Sequence, residues 1–184
     1  MTTVFTESFV SPLEKFKPIA WHLPRPSKSK YKGSVPLHLE VKFRNLTGIP
    51  DNKDLLQMFS GGSQMGYRID INPNNNPDTV ADCHNLPFED NHFGNTFLDP
   101  PYSDEESKEL YGTGKLHPSK YIAEAVRVTK PNGIIGVYHV YLVPRPEGTK
   151  YLGVVTIVTR VYHKARILTL FRKESRKQDD QSVF

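Results

Sequence analysis

The middle of the chain repeats one simple unit, a short apolar run that ends in a carboxylate or a glycine turn. Four runs follow this pattern: DLLQMF (54–59), GYRIDI (66–71), TVAD (79–82) and TFLD (96–99). Short apolar runs bounded by Gly, Pro or Asn are typical of strands that are buried on both faces of a parallel sheet. Because the carboxyl ends of parallel strands meet at one edge, we expect the polar groups that end these runs to converge on one crevice.

The C-terminal part of the chain predicts a helix, a buried strand and a β-hairpin. The helix covers Pro118–Thr129, with proline in its first turn and apolar residues along one face. Ile134–His139 is a buried strand, and the apolar runs Val154–Arg160 and Ala165–Phe171 form the hairpin. The predicted fold class is therefore α/β, with a mostly parallel sheet and an antiparallel last strand.

The two ends of the chain carry weaker signals. Residues 1–34 predict no regular structure, because prolines interrupt any helical periodicity. The next segment, 35–45, fits a short helix but also alternates like a strand, and the sequence alone leaves both open. The polar tail from Arg172 onward is expected to fray.

Composition excludes several classes of protein. The length of 184 residues fits one domain, and the only cysteine, Cys83, excludes an intrachain disulfide framework and a cysteine-based zinc cluster. No apolar run approaches the ~18 residues of a transmembrane helix, and the N-terminus lacks the apolar core of a signal peptide. We therefore expect a cytoplasmic protein without membrane contact. The histidines show no metal-binding spacing, so no metal site is predicted.

Charge divides the chain into a basic, an acidic and a second basic part. Residues 1–50 carry 8 Lys or Arg against 3 Asp or Glu, residues 51–114 carry 3 against 12, and residues 115–184 carry 13 against 5. Basic flanks favour a polyanionic partner, and an acidic middle favours hydroxyl-rich or cationic groups, although solvated faces that differ by chance remain the alternative. The candidate phosphate contacts in the first part are Lys28, Lys30 and Lys32.

The segment Asp99-Pro100-Pro101-Tyr102 carries the most specific chemical signal. Two consecutive prolines stiffen the backbone after a strand and remove two N–H donors. The Asp99 carboxylate and the Pro100 carbonyl remain as acceptors beside the aromatic face of Tyr102. Such a group of acceptors suits an exocyclic amino group on a flat heterocycle that stacks on the tyrosine.

The segment FLDPPY (97–102) resembles motif IV of the class I S-adenosylmethionine-dependent amino-methyltransferases. It most resembles the DPPY form of DNA adenine-N6 methyltransferases, and the same tetrapeptide or NPPY occurs in enzymes that methylate exocyclic amines of RNA bases. The resemblance implies a Rossmann-like fold, S-adenosyl-L-methionine as cofactor, and direct methyl transfer, with adenine N6 in DNA as the first candidate. The implied catalytic residues are Asp99, Pro100, Pro101 and Tyr102.

Upstream segments resemble other motifs of this family in the expected order. LLQMFSGGS (55–63) resembles the glycine-rich motif I, YRIDIN (67–72) resembles motif II, and VADCHN (80–85) resembles motif III. The resemblance implies that Asp70 accepts hydrogen bonds from the cofactor ribose and that Asp82 accepts one from the adenine amino group. The implied cofactor-binding residues are Phe59, Ser60, Gly61, Gly62, Asp70, Ile71, Asp82, Cys83 and His84.

The resemblance also suggests how the chain is organised. Residues 51–172 are expected to form the catalytic domain, residues 1–50 a basic segment that packs on it, and residues 173–184 a polar tail. A separate region for recognising a nucleic-acid sequence has little room. The loop 103–114 and the first 34 residues are the candidates. Loose specificity, a homodimer or a specificity partner would each be consistent with this.

Two departures from the family pattern leave other functions open. Gln57 stands where motif I usually has an acid, and Ser63 stands where a third glycine is common. Only Gly61–Met65 separates the glycine turn from the next run, so the helix that normally follows motif I is predicted to be missing or reduced to a turn. The alternatives are an RNA base N-methyltransferase, a small-molecule methyltransferase, and a nucleic-acid-binding module that has lost methyl transfer.

Overall fold

The structure is a computed structural model that describes residues 19–24, 35–48, 54–111, 115–160 and 162–175. Its strands are β1 (Ile19–His22), β2 (Leu55–Met58), β3 (Tyr67–Asp70), β4 (Thr79–Val80), β5 (Asn95–Leu98), β6 (Ile134–His139), β7 (Thr149–Val158) and β8 (Arg166–Lys173). Its helices are α1 (Leu39–Thr47), α2 (Asp104–Tyr111) and α3 (Pro118–Val128), and a single 3-10 turn covers Pro73–Asn75.

All eight strands belong to one sheet, in the order β1-β7-β8-β6-β5-β2-β3-β4. The strands β4, β3, β2, β5 and β6 are parallel to one another, whereas β8 is antiparallel to both β6 and β7. The predicted fold class is therefore confirmed. The chain moves outward from β2 to β4 and then returns to β5 on the other side of β2. Ligands bind at such a switch point, outside the carboxyl ends of the strands.

The sheet separates two hydrophobic layers. Leu55 and Phe97 belong to the layer that α1 covers, and their neighbours Leu56 and Leu98 belong to the layer that α3 covers. This alternation follows from the two-residue period of a strand. On the α1 side, the ring of Phe43 contacts that of Phe97 edge-on at a centroid distance of 5.0 Å. Both faces of the central strands are thus buried, as their uninterrupted apolar runs predict.

A turn without a helix connects β2 to β3, which confirms that the usual first helix is missing. Gly66 ends the turn with a φ of +65°, and a Cβ atom at this position would collide with the Leu55 carbonyl oxygen. The Ser63 hydroxyl donates to the Glu40 carboxylate of α1 and accepts a hydrogen bond from the Met65 N–H. The turn is therefore shaped by a glycine and fastened to α1.

Two elements lie where the sequence predicts none. β1 lies in the segment 1–34, which we predicted to be irregular, and it pairs in parallel with β7, with Ile19 opposite Val155. This prediction was wrong because the strand is formed by a tertiary pairing that local sequence does not encode. The segment 35–45 resolves to the helix α1, while residues 176–184 lie outside the described part of the chain, so the division into segment, domain and tail stays a prediction.

The predicted acidic loop 103–114 is also wrong over most of its length, because α2 begins at Asp104. The Ser103 hydroxyl accepts a hydrogen bond from the Glu106 N–H at 3.1 Å, and the Glu106 carboxylate accepts one from the Tyr102 N–H at 2.7 Å. This arrangement is close to a capping box, and acidic residues in the first turn also favour the helix dipole. The spacing Ser-x-x-Glu was the signal that could have predicted α2.

Replacing Gly66 by alanine tests the helix-free turn. We expect Gly66→Ala to lower the free energy of unfolding by about 2 kcal/mol or more, because it adds a backbone collision to the cost of a left-handed alanine. Gly148→Ala is the matched control, since Gly148 has a φ of +68° and open space around it. Urea denaturation measures both variants. Equal losses of stability would contradict the collision with Leu55.

Candidate active site

A cavity of about 260 Å³ lies at the carboxyl ends of the parallel strands. One wall contains six of the residues that the motif resemblance assigns to the cofactor: Phe59, Asp70, Ile71, Asp82, Cys83 and His84. Pro101 of the DPPY turn also lines this cavity. The opposite wall, which sequence reasoning missed, consists of Ser107, Lys115, Leu116, His117 and Lys120. The predicted cofactor residues of motifs II and III therefore share one cavity with motif IV.

Asp70 ends β3 and holds the turn that follows β2. Its Oδ2 accepts a hydrogen bond from the Gly61 N–H at 2.7 Å, and its Oδ1 accepts one from the Asn72 N–H at 2.9 Å. The residue is only 4% exposed. Each carboxylate oxygen can accept a second hydrogen bond, so Asp70 has acceptor capacity left for a hydroxyl group in the cavity.

Asp82 follows β4 and is joined to both walls of the cavity through His84. Asp82 Oδ1 accepts from the His84 N–H at 2.9 Å and lies 2.6 Å from His84 Nδ1. His84 Nε2 lies 3.1 Å from the His117 N–H and must accept from it, so Nδ1 is the nitrogen that donates to Asp82. Burial raises the pKa of Asp82, but the hydrogen bonds from His84 outweigh burial and the net pKa is lowered.

The second carboxylate oxygen of Asp82, Oδ2, is available to a ligand in the cavity. Both hydrogen bonds from His84 go to Oδ1, and no other residue in the described part of the chain donates to Oδ2. The side chain is 53% exposed, so a ligand in the cavity can reach it. An ionised carboxylate oxygen of this kind is suited to an amino group.

Cys83 and Phe59 form the apolar floor of the cavity. Cys83 is buried, and burial raises the pKa of its thiol while the hydrogen bond from the Phe59 backbone opposes the rise. The thiol is therefore not a nucleophile at neutral pH. The Phe59 ring contacts Tyr121 of α3 edge-on at 5.1 Å, and Phe59 has a φ of +54° that turns the chain away from β2.

The other residues predicted in motif I, Ser60, Gly61 and Gly62, do not line the cavity. Gly61 acts through its N–H on Asp70, and Ser60 donates its N–H to the Ile69 carbonyl at 2.9 Å. The Ser60 hydroxyl and both polar atoms of the Gln57 amide are buried and have no hydrogen-bond partner among the residues described. Buried polar groups are normally satisfied, so this end of β2 has unused donors and acceptors.

The DPPY turn separates the cavity from a second group of polar side chains. Pro100 and Pro101 are buried, and the Asp99 N–H lies 3.4 Å from the Met58 carbonyl, which continues the pairing of β5 with β2. The Tyr102 hydroxyl lies 3.5 Å from Asp99 Oδ1, at the outer limit for a hydrogen bond. Asp99 therefore keeps most of its acceptor capacity.

Burial governs the protonation of the groups around Asp99. It raises the pKa of Asp99 well above the ordinary value; Glu106 adds to this rise, while Tyr102 and the Arg166 charge oppose it. Burial, together with the nearby charge of Arg166, lowers the pKa of His139 to about 4. His139 is thus neutral at physiological pH, and its Nδ1 accepts a hydrogen bond from the Val140 N–H.

Arg166 and His139 were missed by the sequence analysis, yet both contact the predicted catalytic tyrosine. The Arg166 guanidinium carbon lies 4.7 Å from the centroid of the Tyr102 ring, a cation–π distance. The His139 ring lies edge-on to Tyr102 at 5.2 Å. The sequence gives no local signal for these contacts, because they depend on β8 lying next to β6.

Lys28, Lys30 and Lys32, which we predicted to contact nucleic acid, lie outside the described residues. In the described part of the chain, no helix has the length and apolar character needed to cross a membrane. In the same part, no cluster of three or more His, Cys, Asp or Glu side chains is arranged to hold a metal ion.

Comparison with solved structures identifies the fold. TrmN from Thermus thermophilus has a TM-score of 0.58 at 15% identity, over 77% of this chain and 50% of TrmN. A SAM-dependent methyltransferase from Aquifex aeolicus has a TM-score of 0.50 at 17% identity, over 76% of this chain and 94% of that one. This chain has a class I methyltransferase-like fold. It spans only about half the length of TrmN.

The fold alone does not decide the reaction. The [4+2]-cyclase SpnF has a TM-score of 0.55 at 14% identity, over 85% of this chain and 89% of the cyclase. The same architecture therefore supports more than one chemistry, and the residues at the site must carry any functional argument. No protein-family model and no curated protein sequence matches the chain.

The raised pKa of Asp99 predicts a pH-dependent cost in stability. A carboxyl group whose pKa is higher in the folded state stabilises the fold below its unfolded pKa and loses that contribution as pH rises. Replacing Asp99 by asparagine removes this loss. We expect Asp99→Asn to raise the melting temperature relative to wild type at pH 7 to 8, and to have little effect near pH 4.

Thermal unfolding by circular dichroism over this pH range measures the difference. Asp90→Asn is the matched control, because Asp90 is 65% exposed and pairs with Arg127 far from Asp99. This control should give no gain at any pH. A melting-temperature difference for Asp99→Asn that is the same at pH 4 and pH 8 would contradict a raised pKa.

Proposed function

We propose that this protein is an S-adenosylmethionine-dependent methyltransferase that modifies an exocyclic amino group of a nucleic-acid base, with adenine N6 in DNA as the first candidate. The observation that carries the proposal is the shared cavity: six predicted cofactor residues from three separate segments line it together with Pro101 of the DPPY turn. The parallel sheet brings these strand ends together in any case. What supports the proposal is that the residues which meet at the cavity are the ones that the motif resemblance assigns to the cofactor.

The residues of the cavity fit the adenosine part of this cofactor. Asp70 has acceptor capacity for ribose hydroxyls, and Asp82 Oδ2 has no donor among the described residues and suits the adenine amino group. Phe59, Ile71 and Leu116 supply apolar surface for a flat ring.

The proposed reaction requires positioning rather than a covalent enzyme intermediate. The cofactor supplies a methyl group on a sulfonium, a good leaving group. A carboxyl oxygen of Asp99 accepts an N–H of the target amine, together with the Pro100 carbonyl, and this favours a nitrogen whose lone pair is directed at the methyl carbon. Catalysis then depends on orientation and on fixed acceptors.

Tyr102 is proposed to stack on the target base. Arg166 covers one face of its ring, and His139 contacts its edge. The base therefore either uses the opposite face or displaces the guanidinium. A base paired in a duplex must first leave the helix, which costs a few kcal/mol, whereas unpaired bases of RNA avoid that cost.

Identification of the modified nucleoside tests the proposal directly. The full-length protein is incubated with labelled S-adenosylmethionine and separate pools of DNA, total RNA and small metabolites. Label in N6-methyladenine of DNA is the expected result. Label in an RNA base would move the proposal to the RNA alternative, and label only in metabolites would overturn the nucleic-acid substrate.

Removing the Asp99 carboxylate should abolish transfer without removing the cofactor. We expect Asp99→Ala to lower the rate of methyl transfer about a hundredfold or more, because a preorganised hydrogen-bonding group is lost at the reacting nitrogen. Calorimetry with S-adenosylmethionine should give nearly wild-type affinity. Asp90→Ala is the control and should turn over normally. A wild-type rate for Asp99→Ala would contradict the assignment.

Changing Asp82 should weaken binding of the cofactor, which the change at Asp99 should leave nearly intact. Asp82→Asn keeps an acceptor for His84 but turns Oδ2 into a donor, which would face the adenine amino group. We expect about tenfold weaker binding of S-adenosylmethionine, measured by calorimetry, from the loss of one charge-assisted hydrogen bond. Asp78→Asn is the matched control, because Asp78 pairs with Arg68 and does not line the cavity. Equal affinities for both variants would argue against adenine recognition by Asp82.

A further inference from the structure

The turn between β7 and β8 lies at the same edge of the sheet as the proposed active site. β8 is antiparallel to β6, and its second residue, Ile167, pairs with His139 at the carboxyl end of β6. The last residue of β7 that pairs with β8 is Ile157, whose partner is Arg166. Since β6 is parallel to β5, which leads into Asp99, the β7–β8 turn and the DPPY turn project from the same edge.

The side chains of this turn are basic and aromatic. Between Thr159 and Arg166 the sequence TRVYHKAR contains two arginines, a lysine and a histidine, and no acid. Tyr162 is 103% exposed and has a φ of +61°. No ring contact or hydrogen bond joins its side chain to another residue in the described part of the chain. A left-handed tyrosine costs about 1–2 kcal/mol, and no contact of its side chain with the described residues offsets that cost.

Arg166 connects this turn to the active site. Its guanidinium lies over the Tyr102 ring, and its Nη1 donates to the Lys164 carbonyl at 3.0 Å. One residue therefore contacts both the backbone of the turn and the tyrosine on which the target base is proposed to stack. Just after Tyr102 in the chain, α2 begins with three acids, Asp104, Glu105 and Glu106. Acids repel phosphates and cations attract them, so the β7–β8 turn is the better place for a phosphate contact.

We propose that the β7–β8 turn binds the nucleic-acid strand next to the target nucleotide. In this arrangement Tyr162 stacks on an unpaired neighbouring base, and Arg160 and Lys164 contact its phosphates. The inference rests on the proposed function and supplies the nucleic-acid contact for which the sequence offered only the loop 103–114 and the first 34 residues. An exposed aromatic ring between cations is the combination that binds single strands with little sequence preference.

Binding of labelled oligonucleotides to the full-length protein tests this inference. Single-stranded DNA and RNA of the same sequence are titrated separately, followed by fluorescence anisotropy, with 2-aminopurine as a base whose emission falls on stacking. We expect Tyr162→Ala to weaken binding at least about fivefold and to abolish the 2-aminopurine quenching. Tyr162→Phe, which keeps the ring, should retain both.

The charged residues are tested by the salt dependence of binding. The double variant Arg160→Ala, Lys164→Ala should reduce the slope of log K against log salt by about 0.7 for each phosphate that the protein no longer neutralises. Lys150→Ala is the matched control, because Lys150 is exposed at the other end of β7, away from the site. It should leave the slope at the wild-type value.

The outcomes separate this inference from the proposed function. Wild-type affinity, quenching and salt slope in the Tyr162 and Arg160/Lys164 variants would overturn the role of the turn, even if the protein methylates a nucleic acid. Tyr162-dependent binding without methyl transfer would support the turn and contradict the proposed activity. No binding of either DNA or RNA by the wild-type protein would overturn the role of the turn as well. A stronger effect on one oligonucleotide indicates whether the strand is DNA or RNA.

Discussion

The hydrogen bond between Asp70 and the Gly61 N–H is the interaction on which the site depends. In methyltransferase-like folds, the strand that corresponds to β2 is usually followed by a helix, and this helix fixes the glycine turn. Here β2 is followed at once by a turn that leads into β3, and the turn is held by the carboxylate that ends β3. The same carboxylate lies at the cavity, so the group proposed to bind ribose also determines where the cavity wall lies.

Several buried polar groups at this edge of the sheet lower the stability of the fold. Asp99 is buried enough that burial raises its pKa, and the amide of Gln57 and the hydroxyl of Ser60 lack partners among the described residues. Each of these groups costs folding free energy, since buried polar atoms without partners are not compensated for lost water. The opposite edge of the sheet contains paired charges such as Lys130 with Asp54, but also the buried Tyr151 hydroxyl, which lacks a partner among the described residues. What distinguishes the edge with the cavity is that its unsatisfied groups occur together with a carboxyl group whose pKa is raised by burial.

The sequence predicts the parallel strands well because their signals are local. Apolar runs such as Leu55–Met58 and Ile134–His139 are bounded by turn residues, and a strand buried on both faces needs nothing else to be recognised. The positions of Asp70 and Asp82 were predictable for the same reason, because Asp70 is the last residue of β3 and Asp82 lies just beyond β4. Residues contributed by neighbours in space were not: Arg166 reaches Tyr102 only because β8 inserts between β6 and β7, and β1 exists only through its pairing with β7.

The two walls of the cavity are built from different kinds of structure: the predicted cofactor residues form the near wall, and the wall with Leu116 and His117 is the far one. Asp70 and Asp82 lie at the ends of strands, whereas residues 115–117 belong to the connection between α2 and α3. A hydrogen bond from the Leu116 N–H to Asp104 Oδ1, at 2.9 Å, attaches this connection to α2. Its link to the near wall is the His117 N–H on His84 Nε2. A ligand between these walls would touch the sheet on one side and, on the other, a connection fastened by these two hydrogen bonds. Only one side of the cavity is therefore built from the hydrogen-bonded strands.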